Sequence, residues 1–194
     1  MVVEDSHAYY ASQAAYSKGG EYHTKLANLG YGKDESLSSH YYSTYTGHHG
    51  TIVSYKGTNP LDPTDVNADA AIAVGLHNYN SEFKKAKDVA KKAKEKYGEI
   101  TTTGHSLGGT KAIESANATG SKSIVFNPGT GLGGLKTGDH KVYIKDSDPI
   151  SSRVKGANVH KSKGGHSLNG FDNQFKNGPY MGVTKKRKRK GYGV

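Results

Sequence analysis

The 194-residue chain has no cysteine, and that absence removes a disulfide framework, a thiol nucleophile and any cysteine-ligated metal together. Apolar residues are also scarce, at 33%, which argues against a large multilayered enzyme and for a compact α/β domain with many loops. No stretch approaches the roughly 18 consecutive apolar residues of a membrane span. The opening MVVEDSHAYYASQ places acidic residues where a secretion signal needs a basic region and an apolar run. These absences predict a soluble, non-secreted protein, and the length suits one domain with its own core.

What is present compensates in part. Fourteen tyrosines each bring a large apolar body with a polar tip. Of the net charge of +10, six charges sit in KKRKRK (Lys185, Lys186, Arg187, Lys188, Arg189 and Lys190), leaving +4 for the rest. The sequence therefore divides into a folded domain over 1–175 and a basic tail over 176–194 whose Gly/Lys-rich composition predicts disorder. Such a run suits nuclear targeting, a nucleic-acid partner, an anionic membrane surface, or simple solubility.

Residues 1–30 carry apolar positions near helical spacing and predict one or two short helices. HYYSTYTGHHGTIVSYKG, at 40–57, reads as two strands about a Gly-containing turn. Ser81 is placed to cap a helix whose Phe83, Ala86, Ala90, Ala93 and Tyr97 form an apolar stripe ended by Gly98. Its lysines alternate with Glu82, Asp88 and Glu95, the pattern of a solvated face rather than a nucleic-acid surface. A strand (EITTT), the turn GHSLGG, a helix ended by Gly120 and the strands SKSIVFNPG and HKVYIKD follow. The alternation predicts an α/β fold of the α/β-hydrolase type, a mainly parallel central sheet flanked by helices.

Gly104-His105-Ser106-Leu107-Gly108 fits the G-x-S-x-G pattern between a β-prone and a helix-prone run. A sharp strand-to-helix turn there presents the serine hydroxyl at the positive end of a helix. A serine needs a base, and the base an orienting acid. Asp148 ends a strand in YIKDSDPISS, where Pro149 breaks the chain, and is favoured as acid over Asp146. Only His160 and His166 remain as later bases. His166 follows two glycines in KGGHSLNGF and is favoured, while His160 follows a strand-like run. The Leu107 N–H is one donor for an oxyanion, and Thr58, after the strand SYKG, is the candidate for a second.

Taken together these motifs resemble the class 3 lipase family, the fungal-lipase-like branch of the α/β-hydrolases, over roughly residues 5–172. SYKGT resembles that family's strand ending in Arg-Gly-Thr or Arg-Gly-Ser, which implies an oxyanion role for Thr58. DVNAD resembles its following acidic segment, with Asp65 and Asp69 at the matching spacing. GHSLGG is its nucleophile motif, DPIS its aspartate-plus-proline segment and HSLNGF its closing histidine segment, implying Ser106, Leu107, Asp148 and His166. The chain departs from the family at Lys56, where arginine is usual, and at Val66, where tryptophan is expected. Nothing over 59–80 reads as a long amphipathic lid, which argues against triglyceride lipase behaviour. The basic side chains favour an anionic lipid surface and point to phospholipid or monoacylglycerol esters as substrates. The resemblance implies acyl transfer without metal or cofactor. The pairing of an esterase site with a basic tail suggests a nuclear or virion-associated setting. The alternative is a binding or structural protein on a hydrolase scaffold, with the tail as its contact to nucleic acid or membrane.

Overall fold

The computed structural model describes residues 2–17, 19–57, 80–130 and 134–176. Thr58, Asp65, Val66, Asp69 and the run 185–190 lie outside the described residues. The N-terminal stretch forms two helices, α1 (Asp5–Ala14) and α2 (Glu21–Asn28). A short strand β1 (Gly32–Asp34) precedes the predicted hairpin, β2 (Tyr42–Gly47) and β3 (Gly50–Tyr55), whose ends pair Gly47 with Gly50. Then come α3 (Asn80–Tyr97), β4 (Ile100–Ser106), α4 (Leu107–Thr119) and β5 (Lys122–Pro128). The chain continues through β6 (Leu135–Lys136), β7 (Lys141–Lys145), β8 (Val154–Lys155) and β9 (Val159–Ser162). It finishes with a 3-10 turn (Leu168–Phe171) and α5 (Asp172–Phe175). Helix α3 begins at Asn80, so Ser81 lies inside it rather than capping it.

The sheet runs β1-β2-β3-β4-β5-β7-β9, and β6 pairs only with β8. Pairing is antiparallel from β1 to β3 and parallel from β3 onward. Parallel strands send all their carboxyl ends to one edge, so the segments after β3, β4, β5, β7 and β9 gather there.

Side chains along each strand alternate between the two faces. Ile124 and Phe126 of β5 join the core beneath α1, while Val125 between them joins the core beneath α3 and α4. The first core is aromatic: Tyr9, Phe126, Tyr143, Phe171 and Phe175 pack together, with Phe126 stacked on Tyr143 at 5.5 Å. The second is built from small and aliphatic residues such as Val53, Ala90, Ala112, Ile113 and Val142.

A low apolar content is tolerable because several buried hydroxyls find partners in the interior, Ser115 and Ser123 being exceptions among the described residues. Thr102 donates to the Ala112 carbonyl at 2.8 Å on one face. On the other, Thr103 donates to the Ile124 carbonyl at 2.6 Å and meets Ser12 at 2.9 Å. Each such pairing avoids the cost of an unmade hydrogen bond in the interior. Helix α1 is buried along nearly its whole length, between the sheet on one side and α2 with the C-terminal turn on the other. Tyr9 reaches across it to Asp172 at 2.5 Å, and Tyr22 donates to the same carboxylate oxygen at 2.9 Å.

The lysine-rich face of α3 is held by local partners. Lys87 pairs with Glu114 at 2.7 Å, Lys96 with Asp34 at 2.8 Å, and Lys94 donates to the Thr119 carbonyl at 2.7 Å. Among the described residues no helix is long and apolar enough to cross a membrane.

Candidate active site

At the carboxyl edge of the sheet, β4 passes into α4 without a loop. The joint is Ser106, at φ +55° and ψ −130°, a left-handed conformation that costs a non-glycine residue energy. Neighbouring glycines make the tight joint possible. A Cβ on Gly104 would stand 2.5 Å from the backbone of Gly108, and one on Gly108 would stand 2.3 Å from the Tyr55 carbonyl oxygen. The start of α4 therefore rests directly on β3 and β4. A backbone bond from Gly129 N–H to the Ser106 carbonyl, 2.9 Å, braces the joint from the next strand.

Three of the residues singled out from sequence meet there. Ser106 Oγ lies 2.9 Å from His166 Nε2, and His166 Nδ1 lies 2.9 Å from Asp148 Oδ2. Asp148 is 1% exposed. Its Oδ2 also accepts from Ser151 Oγ at 2.6 Å, and its Oδ1 from the Ile150 N–H at 2.9 Å. Burial alone pushes this carboxyl up, but the hydrogen bonds from His166, Ser151 and Ile150 and the attraction of His166 outweigh it. The group is held below the ordinary carboxylate value. With Asp148 ionised, His166 Nδ1 carries the proton and Nε2 is free to accept one from Ser106. Leu107 is the first residue of α4, so its N–H has no acceptor one turn back in the helix and points to the positive helix end. Thr58 lies outside the described residues.

The disfavoured alternatives are placed elsewhere. Asp146 is exposed and accepts from Gly164 N–H at 3.2 Å and from Ser147 Oγ at 3.1 Å, which ties down the loop before His166. His160, on β9, stacks on Tyr143 with centroids 5.0 Å apart and contacts Asn158 Oδ1 at 2.8 Å.

Sequence reading missed three residues of this region. His105 Nε2 lies 2.7 Å from the His166 carbonyl, so that nitrogen carries the proton, and the two imidazoles lie 4.7 Å apart. Burial, reinforced by His166, pushes the His105 imidazole down to about 4, and neutral His105 sits beside the site. Tyr16 accepts from Gly57 N–H at 3.2 Å and approaches His105 Nδ1 at 3.3 Å, linking the end of β3 to the serine joint. Asn127, fully buried at φ +40°, donates to the Gly165 and His166 carbonyls at 3.3 and 3.0 Å. Its position before proline and glycine at a strand end was the available signal, since asparagine tolerates left-handed backbone better than other side chains.

A family model described as a Tle-like phospholipase domain matches residues 20–160 of the chain. That span takes in Ser106 and Asp148 and stops six residues before His166. No curated protein matches. Among solved structures, a crystal structure described as a hydrolase of the alpha/beta superfamily, from Xanthomonas campestris pv. campestris, aligns at 19% identity and a TM-score of 0.38. The alignment covers 47% of this chain and 60% of that one.

Proposed function

The chain belongs to the Tle-like phospholipase domain family, and from that premise we propose that it is a serine ester hydrolase acting on carboxylic esters of phospholipids. The observation that carries the reading is the continuous hydrogen-bonded line Ser106–His166–Asp148, with both links at 2.9 Å. The order of the three along the chain, and the fungal-lipase-like motifs around them, agree with it.

In the proposed mechanism Ser106 Oγ attacks the ester carbonyl carbon while His166 Nε2 takes its proton. Asp148 keeps Nδ1 protonated and stabilises the imidazolium that results. The carbonyl oxygen becomes an oxyanion, received by the Leu107 N–H at the helix terminus, with Thr58 as second donor. The imidazolium then protonates the leaving alcohol, and an acyl group remains on Ser106. Water, deprotonated by His166, attacks the acyl carbon; the Ser106–acyl bond then breaks as the imidazolium returns that proton to Ser106 Oγ, and the free acid departs. The basic run 185–190 suits this substrate, since lysine and arginine side chains are drawn to an anionic lipid surface.

Hydrolysis of short- and long-chain nitrophenyl esters and of phospholipid vesicles, by the wild type, Ser106→Ala and His166→Ala, tests the reading. Activity present in the wild type and absent from both variants, with circular dichroism unchanged, is the expected result. A folded wild type that neither turns over an ester nor reacts with a fluorophosphonate at Ser106 would refute it and leave a binding protein.

A further inference from the structure

The loop that carries His166 begins Lys163-Gly164-Gly165; Gly164 is tied to Asp146 and to the Ser147 N–H, but beyond it the chain is open at Gly165. Gly164 sits at φ +137°, and a side chain on Gly165 would meet no atom within 4 Å. Such a backbone has much conformational freedom to lose, and left to itself it would spread the imidazole over many positions. At Gly165 and His166 themselves, two buried side chains from the sheet supply the restraint. His105 Nε2 donates to the His166 carbonyl at 2.7 Å. Asn127 Nδ2 donates to the same oxygen at 3.0 Å and to the Gly165 carbonyl at 3.3 Å. Asn127 is itself fixed, because its Oδ1 accepts the Lys145 N–H at 2.8 Å.

We infer that His105 and Asn127 are positioning residues for ester hydrolysis: their donors converge on the His166 carbonyl and set the direction in which its imidazole meets Ser106. The inference rests on the reading of His166 as the base. Neither side chain is among the partners of Ser106 Oγ, whose hydrogen bond is to His166 Nε2. Their effect passes through the His166 peptide, so they bear on the chemical step and not on ester binding. A small misplacement of a base can cost two orders of magnitude in rate even when the substrate still binds.

Selective variants separate this role from simple support of the fold. Asn127→Asp keeps tolerance of the left-handed backbone and the oxygen that takes the Lys145 N–H, but replaces an amide with two N–H donors by a carboxyl with at most one O–H to offer the two carbonyls. His105→Leu removes the other donor, and His105→Gln returns an amide donor at similar reach. Asn127→Asp and His105→Leu are expected to lower kcat about 10- to 100-fold with KM within about twofold, and to slow fluorophosphonate labelling of Ser106 in proportion. His105→Gln is expected to come within about threefold of the wild type. Assays are run well below each variant's melting temperature. If Asn127→Asp does not fold, the His105 pair decides. Unchanged kcat in Asn127→Asp and His105→Leu, a rise in KM alone, or a His105→Gln variant as slow as His105→Leu would overturn the inference. A wild type that neither hydrolyses nor labels is seen before any variant is compared. It would overturn the serine-hydrolase reading and this inference with it.

Discussion

Acid should destabilise the wild type more steeply than a His105→Gln variant, and the difference can be worked from one buried group. In the folded chain burial pushes the His105 imidazole down to about 4, from an ordinary value of 6.5. The unfolded chain therefore takes up this proton first as pH falls, and stability rises with pH across that range. The contribution is whole above about pH 6.5 and is lost progressively as pH falls towards 4. At 1.36 kcal/mol per pH unit it comes to about 3 kcal/mol between pH 7 and 4, with about 2 kcal/mol already gone at pH 5. That is a large share of the 5–15 kcal/mol that typically holds a domain folded. Glutamine does not titrate and keeps a donor for the His166 carbonyl, so the variant lacks this loss while retaining the contact. Urea unfolding followed by circular dichroism at a series of pH values, with both proteins in one buffer set, gives the two stability curves. They should diverge by about 3 kcal/mol at pH 4 relative to their offset at pH 7. Parallel curves would mean that His105 is charged or solvated in the folded state, and would refute its assignment as a neutral donor.

Asp148→Ala should lower kcat by about 10⁴-fold in ester assays, whereas His160→Ala should leave it within about twofold and Asp146→Ala within about tenfold. Equal losses at Asp146 and Asp148 would contradict the site geometry. Lys111 is buried in α4 and paired with Glu82 of α3, whose side chain is about a third exposed. Glu82→Gln leaves that ammonium without its counter-charge and should cost about 2–3 kcal/mol in urea unfolding, while the double variant Glu82→Leu/Lys111→Met should cost less than the single change. Gly104→Ala puts a methyl 2.5 Å from the Gly108 backbone, where nothing flexible can yield. A loss of about 3 kcal/mol and slower labelling of Ser106 are expected, and a variant of wild-type stability would show that the joint is looser than described.

Much of the fold is legible in local pattern. The stripe of α3, the hairpin about residues 47–50 and the strand–turn–helix around Ser106 all follow from periodicity and glycine placement within short windows. The short strands β1, β6 and β8 are not legible, since two or three residues carry no period and pair only because the chain brings them together. Nor is the burial of α1 legible. Its His7, Ser12 and Gln13 look like an exposed face, and they are buried because distant segments meet them: Tyr31 and His49 at His7, Thr103 of the sheet at Ser12, and Asn169 at Gln13.

By itself the sequence determined the α/β class, the serine at the strand-to-helix turn, and a short list of later acids and bases, because each depends on chemistry within a few neighbouring residues. Tertiary structure decided the rest. Asp146 and Asp148 are two residues apart and both follow the same strand, yet one faces solvent and the other lies beneath His166. His105 and Asn127 reach the same carbonyl from two strands more than twenty residues apart in sequence. Contacts of that kind depend on which loops the parallel sheet gathers at its carboxyl edge, and no local window of sequence contains them.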